Sequence, residues 1–266
     1  MSLTAPAPAR VTESLGTLVV RGLLAGIVAG LLAGAVAFVV GEPHIDSAIA
    51  IEEAAAEPAE HSHEAAETAG HTHGDEDEPL VTRDGQRAGL FLATGLAGAA
   101  LGAVFAVATY YARRSSSLSP PVLALVTAAL GWLAIEAVPF AKYPANPPAV
   151  GDPDTIDQRT LLWLAAVVLG LAAVGIAGVV LRALRARATP MTRIVVTVAT
   201  FVVVVVAGYL MLPTIDEVSD DFPATLLWQF RVSSLAVQAT LWLVLGLAFA
   251  WLTERASRSE SRTTAA

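Results

Sequence analysis

Four histidines stand in two His-x-His pairs, His61-Ser62-His63-Glu64 and His71-Thr72-His73-Gly74-Asp75-Glu76-Asp77-Glu78, inside a strongly acidic stretch. Two imidazoles one residue apart chelate a single ion on an extended chain, and neighbouring carboxylates add hard oxygen donors. The 266-residue chain has no cysteine, so thiolate sites are excluded and any metal ligand must be nitrogen or oxygen. Such a set takes Co²⁺, Ni²⁺, Zn²⁺ or Cu²⁺. The ordinary affinity order favours copper, so the string reads as capture or buffering rather than selection. The surrounding segment, Ala54 to Asp77, is rich in Ala, Glu and Thr with few large apolar residues and reads as unstructured. The bland alternative is an acidic linker with incidental histidines. All 5 histidines of the chain fall between His44 and His73, which argues against accident.

Further candidates flank this stretch. After Gly41-Glu42-Pro43, the carboxylates Glu42, Asp46 and Glu53 recur at i, i+4 and i+11, on or near one face of a helix that Pro43 suits as a start. With His44 they offer ligands to a cation, or simply a solvated amphipathic face. Glu136 lies in the apolar run Trp132-Leu133-Ala134-Ile135-Glu136-Ala137-Val138, where an ionisable group is costly and suggests function. Arg231 and Gln238, seven apart, share a helix face; paired with Arg231, Glu136 is structural, and unpaired it offers a site to a cation or a proton. Prolines 139, 144, 147, 148 and 153 argue against a helix there and hold an extended, turning backbone. That segment and the later connection supply Lys142, Tyr143, Asn146, Asp216, Glu217 and Asp221 as candidate linings of an ion path. Trp163 and Trp228 read as members of an interfacial aromatic belt.

The elements that must position these groups are six apolar runs, at residues 18–40, 89–111, 120–141, 161–181, 194–212 and 224–252. A hydrocarbon core of about 30 Å needs about 20 apolar helical residues, so each run crosses once. The first run is too long for a secretory h-region and reads as an uncleaved span. Charged residues are only 15% of the chain, against about a quarter in soluble proteins, and they are swept into the connections. Eleven of the 16 basic residues, among them Arg21, Arg113, Arg114, Arg182, Arg185, Arg187 and Arg255, fall on one side of this scheme. By the positive-inside rule that side is the cytoplasm. The fold class expected is therefore all-α: a polytopic membrane helical bundle of six transmembrane helices with both termini cytoplasmic. Residues 1–17 and 253–266 are tails, residues 41–87 form an extracytoplasmic acidic and His-rich loop, and residues 89–252 form the rest of the bundle. Three hairpins pair spans one–two, three–four and five–six. Gly22, Gly26, Gly30 and Gly34 in span one, and Gly95, Gly98 and Gly102 in span two, line faces that permit close backbone approach.

Enzyme readings do poorly. His63-Glu64-Ala65-Ala66-Glu67 lacks the second histidine of a zincin helix, no pair of intramembrane aspartates occurs, and no phosphate-cradling glycine loop appears.

Several strings together carry a family resemblance. They are Gly41-Glu42-Pro43 with Ile45-Asp46 and Glu52-Glu53, the histidine-rich first loop, and Lys142-Tyr143-Pro144-x-Asn146-Pro147-Pro148. Gly151-x-Pro153-x-Thr155 to Arg159, Asp221-Phe222-Pro223 and Leu226-Leu227-Trp228-x-Phe230-Arg231-x-x-Ser234 complete them. The chain resembles the CbtA family of cobalt transporter subunits over nearly its whole length. The resemblance implies a bacterial inner (plasma) membrane protein linked to cobalamin biosynthesis, moving Co²⁺. It also implies a small single-span CbtB-like partner with its own histidine-rich end. The resulting expectation is a cobalt uptake subunit with an external capture loop and no organic cofactor. A metal exporter, and a non-transporting receptor or assembly scaffold, stand as alternatives.

Overall fold

Helix starts are written into the sequence as caps. Ser14 accepts from the Thr17 amide at 3.1 Å, Thr82 from Gly85 at 3.2 Å and Thr189 from Thr192 at 3.3 Å. Each satisfies an amide that the first helical turn leaves free. Pro120 and Pro190 open helices at the first position, where a missing N–H costs nothing. The computed structural model describes residues 13–56 and 82–265. The described elements are α1 (Leu15–Val36), a π-helical turn (Ala37–Gly41) and α2 (Glu42–Ala56), which follow without a break, then α3 (Arg83–Arg113) and α4 (Pro120–Trp132). A second π turn (Leu133–Ala137) leads into α5 (Val138–Lys142); α6 (Ile156–Ala183), α7 (Pro190–Met211) and α8 (Ala224–Ala265) complete the chain. Six helical segments are long and apolar enough to cross a membrane, and the described residues contain no strand.

Antiparallel α1 and α3 meet backbone to backbone. A Cβ on Gly22, Gly26 or Gly30 would stand 2.1–2.2 Å from the carbonyl oxygens of Gly102, Gly98 and Thr94 respectively. In a bilayer, where helix association gains little from hydrophobicity, such close approach supplies dispersion contacts instead. α8 packs on α1 and α4, and α3 closes the group on α4. The shared core is Leu18, Ala29, Phe105, Ala128, Trp242, Leu245 and Phe249, with Phe105 and Phe249 edge to face at 5.2 Å.

The remaining pair corrects the hairpin scheme. Spans one–two do pack, but spans five–six do not form a packed hairpin. α7 leans on α6, whereas α8 belongs to the other group. The connection between α7 and α8 is long enough to cross the end of the bundle, so sequence neighbours need not touch. Contacts joining the α6–α7 pair to the body include a small cluster of Val138, Ala173 and Val205, the approach of Gly170 to Ala134, and the Tyr209 hydroxyl, which donates to the Val138 carbonyl.

The proline-rich stretch also differs from expectation. Helix continues through Pro139 to Lys142 because the preceding turn is wider: the Val138 amide reaches back to Leu133. With that amide used and Pro139 lacking one, the Ala134 carbonyl has no helical donor. It abuts Gly170, where a Cβ would lie 2.1 Å from its oxygen. The first π turn shows the same register: Glu42 N–H goes to Ala37 and Pro43 follows. Only after Tyr143 does the chain become irregular, with positive φ at Ala149 (65°) and Gly151 (116°).

Candidate ion-binding site

One end of the bundle gathers the arginines. Glu13 bridges Arg21 of α1 and Arg113 of α3, the latter at 2.8 Å. Burial alone would raise the Glu13 pKa, but its bonds to the two guanidiniums outweigh burial and hold it below the ordinary glutamate value. Arg182 at the end of α6 donates to Ser115 at 2.7 Å.

The opposite end carries the carboxylates. Arg83 of α3 donates to Glu42 at 2.6 Å and Asp46 at 2.9 Å, and Arg87 to Asp46 at 2.6 Å and Glu42 at 3.2 Å. Two carboxylates expected to greet a cation are thus held by two guanidiniums, closing the base of the first connection. His44 Nδ1 lies 3.2 Å from the Ser233 hydroxyl, which also reaches the Val40 carbonyl at 3.0 Å. Glu53 is exposed on α2. Among the described residues no three His, Asp or Glu side chains come together to hold one ion. His61, His63, His71 and His73 lie outside the described residues.

Beside this network, between the body and α6, sits a cavity of about 450 Å³. The second π turn brings Glu136 to its wall, and the turning backbone after α5 brings Tyr143 and Asn146. Asp216 and Glu217 come from the α7–α8 connection, Arg231 and Gln238 from α8. Lys142, which lies 5.9 Å over the Tyr143 ring, and the exposed loop residue Asp221 do not line it.

Hydrogen bonds stitch the two connections into a roof. The Tyr143 hydroxyl donates to Pro213 O at 2.7 Å; burial pushes this phenol above its ordinary pKa and keeps it a donor. The Asp152 amide donates to Glu217 at 3.2 Å, and Arg159 pairs with Glu217 at 3.4 Å. Gly151 is required here: its φ is positive, and a Cβ would sit 2.3 Å from the Arg159 guanidinium.

Of the two readings of Glu136, the pair with Arg231 does not form. Arg231 donates to the Asn146 side-chain oxygen at 2.9 Å and to Ala145 O at 3.3 Å, its charge spent on fixing the proline-rich loop. Glu136 instead accepts from the Trp242 indole N–H at 3.2 Å. Trp242 is seated by Gly131, where a Cβ would stand 2.3 Å from the ring. The Gln238 side-chain oxygen is buried without a hydrogen-bond partner.

Sequence reasoning missed three of these contributors. Trp163, read as a belt residue, lines the cavity, as does Arg159, while Trp242 orients Glu136. The signal for Trp242 was present: Arg231, Gln238 and Trp242 recur at i, i+7 and i+11, one face of a helix with 3.6 residues per turn.

A bundle of six membrane-length helices with a charged, acceptor-rich cavity at one end defines a multi-pass membrane protein built around a polar site. The chain belongs to the CbtA family, described as probable cobalt transporter subunit, whose match covers residues 15–254. No curated protein and no solved structure matches it. A transporter subunit, as the family is described, is not an enzyme class.

Proposed function

We propose that this chain is the membrane-embedded subunit of a Co²⁺ uptake system of the bacterial inner membrane, serving cobalamin biosynthesis. Both termini face the cytoplasm, and the acidic end, with residues 57–81, faces out. The imidazoles of His61, His63, His71 and His73 raise the local metal concentration. The cavity beneath the Tyr143–Asp152 and Leu212–Pro223 connections is the first station within the bundle. A small single-span, histidine-rich partner completes the system.

The observation that carries this reading is the cavity itself. In a family of cobalt transporter subunits, it joins Glu136 of a membrane-length helix to Asp216 and Glu217 of an outer connection. The charge distribution supports the orientation, with arginines at one end and carboxylates at the other. An inside-negative potential contributes about 2.3 kcal/mol per charge per 100 mV, and about twice that for a divalent ion, so accumulation needs no nucleotide.

The test is metal-resolved accumulation in cells and proteoliposomes containing the chain with and without its small partner. Inward Co²⁺ flux that depends on Glu136 is expected. Metal binding without flux identifies a receptor or scaffold, and outward flux identifies an exporter.

A further inference from the structure

We propose that the cavity takes its ion with the inner water shell intact, recognising metal-bound water rather than ligating the metal. This rests on the reading of the cavity as an ion station.

The wall chemistry points there first. Every candidate anionic group is a hard carboxylate, no histidine lines the space, and the chain has no cysteine. Inner-sphere capture of cobalt is best served by nitrogen donors converging on one point. Glu136 stands on one element and the neighbouring Asp216 and Glu217 on another, and no three His, Asp or Glu side chains gather to hold an ion among the described residues. Two are already restrained, Glu217 by Arg159 and Glu136 by Trp242. Each keeps acceptor capacity for a second donor.

Size agrees. Liquid water occupies about 30 Å³ per molecule, so an ion with six waters takes roughly 200 Å³, and the cavity offers about 450 Å³. The space therefore admits a hydrated ion without displacing its waters. Water bound to a divalent cation is a polarised donor and seeks charged or unpartnered acceptors. The walls present such acceptors in Glu136, Asp216 and Glu217, with the Gln238 side chain lining the same space.

Charge also agrees. By formal count the lining holds three carboxyl groups and two guanidiniums, so Arg159 and Arg231 offset most of the acidic charge and leave no strong excess. Transport requires binding strong enough to draw the ion in and weak enough to release it. Loss of the water shell is then deferred to a later step, and discrimination among first-row divalent ions does not arise in this cavity.

Hexaamminecobalt(III) tests the idea. It is inert to ligand exchange, similar in size to a hexaaqua ion, and presents only N–H donors. The assay is Co²⁺ uptake into proteoliposomes holding the full chain and its partner, for the wild type, Glu136→Gln and Gln238→Leu. The expected result is competitive inhibition of wild-type uptake that persists when residues 60–74 are deleted and weakens at least tenfold in either variant. Thermal unfolding checks that each variant is folded, and Gln238→Leu carries the comparison alone if Glu136→Gln is not.

Glu136-dependent Co²⁺ uptake that hexaamminecobalt(III) does not inhibit overturns the water-shell proposal and leaves the transport reading standing. Inhibition equal in wild type and variants places the complex elsewhere and also overturns it. Folded variants with normal Co²⁺ uptake remove the cavity from the route and sink both.

Discussion

Gly170 on α6 faces the peptide group of Ala134, in the turn that carries Glu136. A methyl group at position 170 would stand 2.1 Å from the Ala134 oxygen, against the 3.0 Å below which real Cβ contacts essentially never fall. Backbone is the obstacle, so no rotamer change relieves it, and helix and turn must part by about 0.9 Å. Overpacking of this kind costs about 1–3 kcal/mol. A displacement near 1 Å of a positioned group lowers rates by up to roughly 100-fold. Gly175 and Gly178 on the same helix are the controls, since a Cβ at either meets nothing within 4 Å. Alanine there gains about 0.5–1 kcal/mol of helix propensity at no steric cost. Gly170→Ala is therefore expected to lower thermal stability in detergent and to cut Co²⁺ flux by at least about tenfold. Gly175→Ala and Gly178→Ala keep flux and melt no lower than wild type. Indistinguishable behaviour of the three variants, or wild-type flux in Gly170→Ala, refutes the idea that this contact sets the Glu136 turn.

Four other outcomes are expected. Glu136→Gln lowers maximal Co²⁺ flux while leaving the apparent affinity set by external capture, as initial-rate uptake curves will read. Deleting residues 60–74 has the opposite signature, weaker uptake at scarce metal with maximal flux unchanged. Glu13→Gln leaves Arg21 and Arg113 unpaired and costs about 1–3 kcal/mol at neutral pH. Because the Glu13 pKa is lowered in the folded protein, its contribution is full above the ordinary value of 4.5 and is lost as pH falls through the lowered value. Melting curves of wild type and Glu13→Gln should thus converge in acid, and a constant gap between them contradicts the linkage. Gly151→Ala forces a methyl group against Arg159 at positive φ, costs about 1–3 kcal/mol, and speeds hydrogen exchange at the Asp152 amide.

Bilayer solvation made much of the fold legible. Spans must be apolar and near 20 residues long, so their number could be read from composition. The glycine ladder of α1 and α3 was equally plain, because small residues four apart have one obvious use in lipid. What stayed hidden depends on encounters between distant segments. Arg83 and Arg87 reach Glu42 and Asp46 across the α2–α3 approach, and no local pattern announces it. Pro139 read as a terminator because local rules assume the ordinary helix; the wider turn before it, and a glycine on α6 to receive the stranded carbonyl, are tertiary facts. Arg231 stood out as consequential, but whether it paired with Glu136 was open in the sequence. Its reach to Asn146 depends on how the loop folds back.

The slender attachment of α6 and α7 to the body has a consequence for the surrounding lipid. With 22 residues at 1.5 Å each, α7 is about 33 Å long, close to an average hydrocarbon core. Mismatch with a thicker or thinner bilayer costs fractions of a kcal/mol per Å. Acyl length is therefore expected to act on the tilt of these two helices, and through α6 on the mouth of the cavity. If the chain carries Co²⁺ as proposed, its turnover is expected to change on reconstitution in lipids of graded acyl length.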